Sequence, residues 1–170
     1  LKVKLNFPSV VSVGRNATHS FGKPPVASIR LLAGLGVEGD AHATGGFRQL
    51  HLLQAELFDT LRPAGFDLAP GQLGENITTR GIDLPSLPAG TRLRLGECAL
   101  VELSGTREPC DRLERFRAGL LRAVLVRDAQ GRLCSRAGVM AIVLEAGEVR
   151  PGDRIGALLP LAPHRALSMI

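Results

Sequence analysis

The chain has no tryptophan and no tyrosine, and its only phenyl rings are six phenylalanines. These lie in apolar surroundings, which leaves no exposed stacking platform for single-stranded nucleic acid, and no groove-reading motif occurs. Cysteine is equally scarce. Cys98, Cys110 and Cys134 lie too far apart in sequence for a zinc knuckle or a redox pair. Their odd number points to free thiols in a reducing compartment. No apolar run reaches the roughly 20 residues of a membrane-spanning helix, and Leu1-Lys2-Val3-Lys4-Leu5 lacks the features of a signal peptide. A cytoplasmic location without membrane attachment is therefore expected. Acidic residues are in deficit: 16 Asp and Glu face 21 Lys and Arg, a formal charge of +5. With nucleic acid disfavoured, an arginine-rich surface suits a phosphorylated or oxyanionic small ligand.

What is abundant is punctuation. Twenty glycines and eleven prolines in 170 residues favour many short elements joined by tight turns over a helical bundle. The length suits one domain over residues 1–170, with an apolar stretch from Ala157 to Ile170 as a terminal strap packed on the domain or into a partner.

Short strands are expected at Val10 to Val13, Val26 to Leu32, Thr91 to Gly96, Glu97 to Ser104 and Gly138 to Leu144. In the fourth of these, Cys98 reads as an inward, inert thiol. Leu53, Leu57 and Leu61 recur at helical spacing, so Leu50 to Leu61 reads as an amphipathic helix with His51 as a capping or surface residue. Leu113, Phe116, Leu120, Leu121 and Val124 predict a second helix of about three turns, with Arg112, Glu114, Arg115 and Arg117 on its solvated side. His19 and His164 read as surface residues.

Three stretches carry chemistry. In Thr106-Arg107-Glu108-Pro109-Cys110-Asp111-Arg112 a single cysteine follows a proline, lies between two arginines and precedes a helix. That places a thiol among N–H groups and guanidiniums, surroundings that favour the nucleophilic, metal-binding thiolate. Gly34 to His42 packs glycines ahead of Asp40 and His42, consistent equally with a ligand-facing loop and with a hairpin turn. Pro70 to Gly81 brings Gly74, Glu75, Asn76, Thr78 and Thr79 together, either as a hydrogen-bonding wall for a heterocycle or as a polar turn and edge strand.

Taken together, Gly34 to His42, Gly-Glu-Asn-Ile-Thr-Thr at 74–79, Arg107-x-Pro109-Cys110 and Val149-Arg150-Pro151-Gly152-Asp153 resemble the MOSC domain, in order and spacing, over roughly residues 10 to 155. The resemblance implies a mainly β fold with a few helices (α+β) and a β-barrel core. It implies binding of the molybdenum cofactor, a pterin dithiolene phosphate (molybdopterin). Cys110 would carry sulfur as a persulfide or ligate molybdenum, and Arg107, Asp40, His42, Gly74, Glu75, Asn76 and Thr79 would line the pocket. The family points to sulfurase-like sulfur transfer, with a cysteine desulfurase as donor, or to molybdenum-dependent reduction of N-hydroxylated compounds with redox partner proteins. A non-catalytic binding module is the remaining alternative. The chain lacks the aminotransferase-like domain that binds pyridoxal phosphate in sulfurases, so that cofactor is not expected here.

Overall fold

The computed structural model describes residues 7–170, so the reading of Leu1 to Leu5 lies outside the described residues. Along the chain the strands are β1 (Ser9–Gly14), β2 (Pro25–Val26), β3 (Ile29–Leu32), β4 (Gly36–Val37) and β5 (Leu50–Gln54). Helix α1 (Glu56–Leu61) leads to β6 (Ile77–Arg80), β7 (Arg92–Leu95) and β8 (Ala99–Thr106). Helices α2 (Asp111–Phe116) and α3 (Leu120–Ala123) precede β9 (Leu125–Arg127), β10 (Leu133–Ser135), β11 (Val139–Glu145), β12 (Gly147–Val149) and β13 (Ile155–Leu158).

Eight strands form one sheet in the order β13-β7-β8-β11-β5-β6-β1-β2. Every neighbouring pair is antiparallel except β5 and β6. The expected closed barrel is not formed: the sheet is an open half-barrel. Among the described residues its two sides meet where Ser9 bridges Arg154, with Val10 N–H donating to Asp153 O, Gly152 N–H to Val10 O and Ile155 N–H to Pro8 O, each at 2.8 Å. Full closure needs an unbroken ladder, whereas Pro151 and Gly152 turn the chain just before this point. A separate ribbon, β12-β3-β4, explains why Val26 to Leu32 is two short strands rather than one: β2 and β3 belong to different sheets.

One apolar cluster fills the concave side, with Leu50, Leu52, Ile77, Leu93, Leu95, Val101, Leu103, Val139 and Ala141 all buried. A second, built from Leu53, Leu57, Phe58, Leu61, Leu73, Leu113, Leu120 and Val124, packs the helices on the other side of β5. Strand β5 is therefore covered on both faces. Such a strand reads as a continuous apolar run without alternation, and this corrects the expected helix from Leu50: only Glu56–Leu61 is helical. Leu53, at the strand end, joins the same cluster as Leu57 and Leu61, which reproduces a helical spacing across a strand-helix boundary.

Two further corrections follow from local geometry. Ala99, Val101 and Leu103 are the inward residues of β8, which leaves Cys98 exposed in the turn before it. The three-turn helix is broken where Arg117 becomes extended and Gly119 adopts φ +84°, giving two short helices. The terminal segment packs on the domain. Thr106 N–H donates to Ser168 O at 2.8 Å, and Glu108 N–H to Ile170 O at 3.2 Å, so it fastens the end of β8.

Candidate functional site

Where β8 ends, its chain leaves the sheet through Arg107, Glu108 and Pro109 and enters α2, with Cys110 at the N-cap. Cys110 holds extended φ/ψ of −119° and 171°, and its carbonyl accepts from Leu113 N–H at 3.0 Å. Its side chain makes no capping bond and is exposed. The expected strand-to-helix junction is present, but α2 has only six residues and contributes a correspondingly short dipole.

The cysteine faces a cleft of about 330 Å³. Its floor comes from three adjacent strands: His51 of β5, Met140 opposite it on β11, and Asn76 just before β6. Phe21 and Lys23 form one wall, His42, Thr44 and Arg48 another, and Arg107, Cys110 and Arg112 the third. Lys23, Arg48, Arg107 and Arg112 make the lining strongly cationic, and no carboxylate belongs to it. This is an anion site by composition.

Arg107 is held rather than free. Its Nη1 donates to Leu73 O at 2.9 Å, its backbone N–H to Gly138 O at 2.9 Å, and its guanidinium lies 6.0 Å from the Phe21 ring centroid. Burial lowers its pKa, opposed by the attraction of Cys110 and Glu75 and reinforced by Arg48 and Arg112.

His51 was expected at the surface. It is 5% exposed, and its Nε2 donates to Ala137 O at 2.7 Å. Burial, aided by the charge of Arg107, pushes its pKa down to about 3 against hydrogen bonds to Ala137 and Gly74. At neutral pH the cleft floor thus holds a neutral imidazole whose single N–H is committed at Nε2. Gly138 secures the arrangement: at φ +97° it has no room for a Cβ, which would meet Leu52 O at 2.4 Å and His51 Nε2 at 2.5 Å. The signal for His51 in the sequence was a lone polar residue inside the apolar run 50–53, which helical periodicity obscured.

This protonation has a sign. The folded pKa of His51 is depressed from 6.5 to about 3, so the unfolded chain binds a proton that the folded chain refuses. Stability should fall as pH drops from about 6.5 toward 3, by up to about 1.4 kcal/mol per pH unit. Urea unfolding between pH 4.5 and 7 checks it, since His51→Gln should flatten the dependence. An equal slope in both proteins would remove this assignment.

Asp40 does not line the cleft. Its side chain is 2% exposed and pairs with Lys23 Nζ at 2.5 Å and 2.7 Å. It also accepts from Asn16 N–H at 3.1 Å, His42 N–H at 2.8 Å and Asn76 Nδ2 at 3.1 Å. Burial raises its pKa, but Lys23 and the His42 and Asn16 N–H groups outweigh this and hold it below the usual range. The loop reading and the turn reading of Gly34 to His42 are both partly realised: β3 and β4 form a hairpin, and beyond it Asp40 ties Lys23, His42 and Asn76 into the cleft wall. His42 lines the cleft with its ring half exposed and stacks edge-on to His19 at 5.1 Å.

Of the 74–79 stretch, Gly74 and Asn76 reach the cleft and the rest does not. Gly74 is required there, since at φ +86° a Cβ would meet Phe21 O at 2.7 Å. Glu75 is 1% exposed and turns away, accepting from Gly71 N–H at 2.7 Å and Thr78 Oγ1 at 3.0 Å. Burial raises its pKa against those hydrogen bonds. Thr79 is fully buried on β6. The edge-strand reading is corrected, because β6 lies between β5 and β1 and both Thr78 and Thr79 are buried. The fold also exposes aromatic surface that the sequence did not suggest, with Phe47 75% and Phe116 37% exposed. Arg112, assigned to a solvated helix face, lines the cleft.

Comparison with known proteins gives a consistent result. The family model described as MOSC domain matches residues 39–156. Among solved structures, the YuaD protein from Bacillus subtilis superposes with a TM-score of 0.72 at 23% identity, covering 91% of this chain and 97% of its own. YiiM from Geobacillus stearothermophilus gives 0.72 at 21%, covering 94% and 79%. YiiM from Escherichia coli gives 0.67 at 23%, covering 94% and 73%. At these identities the structures show a shared fold. A search of curated protein sequences returns no match. Among the described residues no helix is long and apolar enough to cross a membrane, and no group of His, Cys, Asp and Glu is arranged to hold a metal ion.

Proposed function

The chain belongs to the MOSC domain family, and on that premise we propose that its cleft binds the molybdenum cofactor, with Cys110 supplying the sulfur that meets the metal or carries a persulfide. One observation carries this reading: the only thiol in the lining is exposed, in a cleft that it shares with Arg48, Arg107, Arg112 and a Lys23 whose charge is matched by Asp40 behind the wall. The donor set fits the group. A pterin phosphate matches Lys23, Arg48, Arg107 and Arg112, a pterin ring matches the amide of Asn76 and the backbone at Gly74, and a soft metal matches a thiolate. When bound, the cofactor supplies a molybdenum centre suited to sulfur transfer or two-electron chemistry.

The chain's own contribution is binding and orientation. Arg107, fixed by Leu73 O, holds its charge next to Cys110 and favours an anion there. His51 keeps the floor uncharged at neutral pH, so the positive charge of the cleft comes from its lysine and arginines and does not vary with His51. Asp40 fixes Lys23 and Asn76 without facing the ligand itself.

The open mouth of the cleft, where His42 is half exposed, also admits a small substrate. This favours, as a second reading, molybdenum-dependent reduction of N-hydroxylated compounds, with Cys110 as a permanent ligand. Protein purified from a host that makes the cofactor should contain molybdenum and pterin in equal amounts. Turnover of a hydroxylamine with a chemical reductant then selects the reductase reading. Protein that is folded, free of molybdenum and pterin, and unable to accept sulfur from polysulfide would overturn both.

A further inference from the structure

We propose that the rim of the cleft is a docking surface for a second protein, one that presents an acidic face with an apolar contact of its own. This rests on the reading of Cys110 as the reacting group, and names the kind of partner that reaches it. Much of the chain's positive charge lies in the segment that starts at this rim, with Arg107 and Arg112 lining the cleft itself. Residues 107–136 contain eight arginines against four acids (Glu108, Asp111, Glu114 and Asp128), a net +4 out of the total +5. Two of those acids are already paired, Asp111 with Arg115 and Asp128 with Arg132, and Glu114 accepts from Gly119 N–H at 2.8 Å. Arg112 and Arg117 have no carboxylate partner among the described residues.

Apolar surface is exposed at the same rim. Phe47, 75% exposed, adjoins the cleft-lining Arg48. On α2, Phe116 packs 5.4 Å from Phe21, a residue that lines the cleft, and Arg117 lies 5.8 Å from its ring centroid. Exposed phenylalanines interleaved with arginines around an accessible cysteine have the composition of a protein interface, where aromatic and arginine anchors dominate binding. Charge complementarity makes the partner acidic. Nucleic acid is the weaker fit. The Phe116 ring is already contacted by Phe21 and Arg117, and Phe47 alone is no platform for successive bases.

The test uses the full chain and a labelled random copolymer of glutamate and tyrosine, with polyglutamate and oligo-dT of similar charge as comparators. The copolymer is expected to bind, to shield Cys110 from maleimide, and to bind about tenfold more tightly than polyglutamate. The double variant Phe47→Ala/Arg117→Glu should lose about tenfold of that affinity. Neither side chain lines the cleft, so its molybdenum and pterin content should match wild type. Loss of binding with cofactor retained places the effect on the rim. Lack of cofactor in both proteins would instead count against the cofactor reading and leave the binding result standing. Undiminished copolymer binding by the variant, no shielding of Cys110, or tighter binding of oligo-dT than of copolymer would each overturn the proposal, the last in favour of nucleic acid.

Discussion

Cys110→Ala is expected to lose at least about nine-tenths of the bound molybdenum while remaining folded. The magnitude follows from the donor set. No other thiol reaches the cleft, and Met140, the other sulfur in the lining, is a 5% exposed thioether, a weak acceptor that carries no charge. Losing this thiol therefore leaves the arginines and Lys23 to hold the anionic part of the ligand and no sulfur donor of comparable strength to hold the metal. The fold should not notice. The Cys110 side chain is exposed and makes no capping bond, and substitutions at such positions change stability by about 0.5 kcal/mol or less. Metal analysis and urea unfolding on the same preparations separate the two effects. If wild type carries no molybdenum, intact-mass analysis after polysulfide treatment replaces metal analysis, with one added sulfur on wild type and none on the variant. A variant that matches wild type in both metal content and sulfur loading would remove Cys110 from the chemistry.

Asp40→Ala is expected to produce the largest loss of stability, about 3–5 kcal/mol, because it strands a buried ammonium. Lys23 is 5% exposed, and its Nζ has Asp40 as its only carboxylate among the described residues. The same substitution releases Asn16, the His42 backbone and the Asn76 amide. Two walls of the cleft should therefore loosen together. Adding Lys23→Met to Asp40→Ala should recover a large part of the loss, since removing both charges costs far less than removing one. The pH dependence has a defined sign. The folded pKa of Asp40 is depressed, so its contribution is complete above the unfolded value of about 4 and disappears as pH falls through the lower folded value. The gap between wild type and Asp40→Ala should stay constant from pH 5 to 8 and close in stronger acid. A gap below about 1 kcal/mol at pH 7 would mean that the pair is not buried as described.

The two residues behind these expectations were unequally legible in the sequence. Cys110 was readable because every feature that matters to it is local. Strand β8 stops at Thr106, Pro109 immediately precedes the cysteine, Asp111 opens the helix, and Arg107 and Arg112 lie within three residues, so neighbours in sequence are neighbours in space. Strands β1, β7 and β11 were readable for a similar reason, since each carries its pattern within a few residues. The mainly β class was implied by the resemblance of the four motifs to the MOSC domain, and the glycine and proline content agreed with it. Asp40 was found as a residue but not in its role. Its partners Lys23 and Asn76 are 17 and 36 positions away, and no spacing rule spans such distances.

The errors share this cause. Leu50 to Gln54 looked helical because a strand covered on both faces loses the period of two that identifies strands. With it went His51, whose depressed pKa exists only because the Ala137-Gly138 segment, β11 and the Gly74 turn bury it and Arg107 adds its charge. Glu75 and Thr79 looked like ligand-facing groups because polar residues in a turn-rich stretch usually meet water or ligand, yet the half-barrel turned both inward. Cys98 went the other way, placed inside by an alternation that was one residue out of phase. The sequence by itself determined the thiol at the strand-to-helix junction, its flanking arginines and the family with its mainly β class of fold. Which polar residues face the cleft, which are buried to hold it and which charge states they adopt was decided by tertiary structure alone. Side-chain direction in a strand flips with every residue, and desolvation depends on what packs above it from distant parts of the chain.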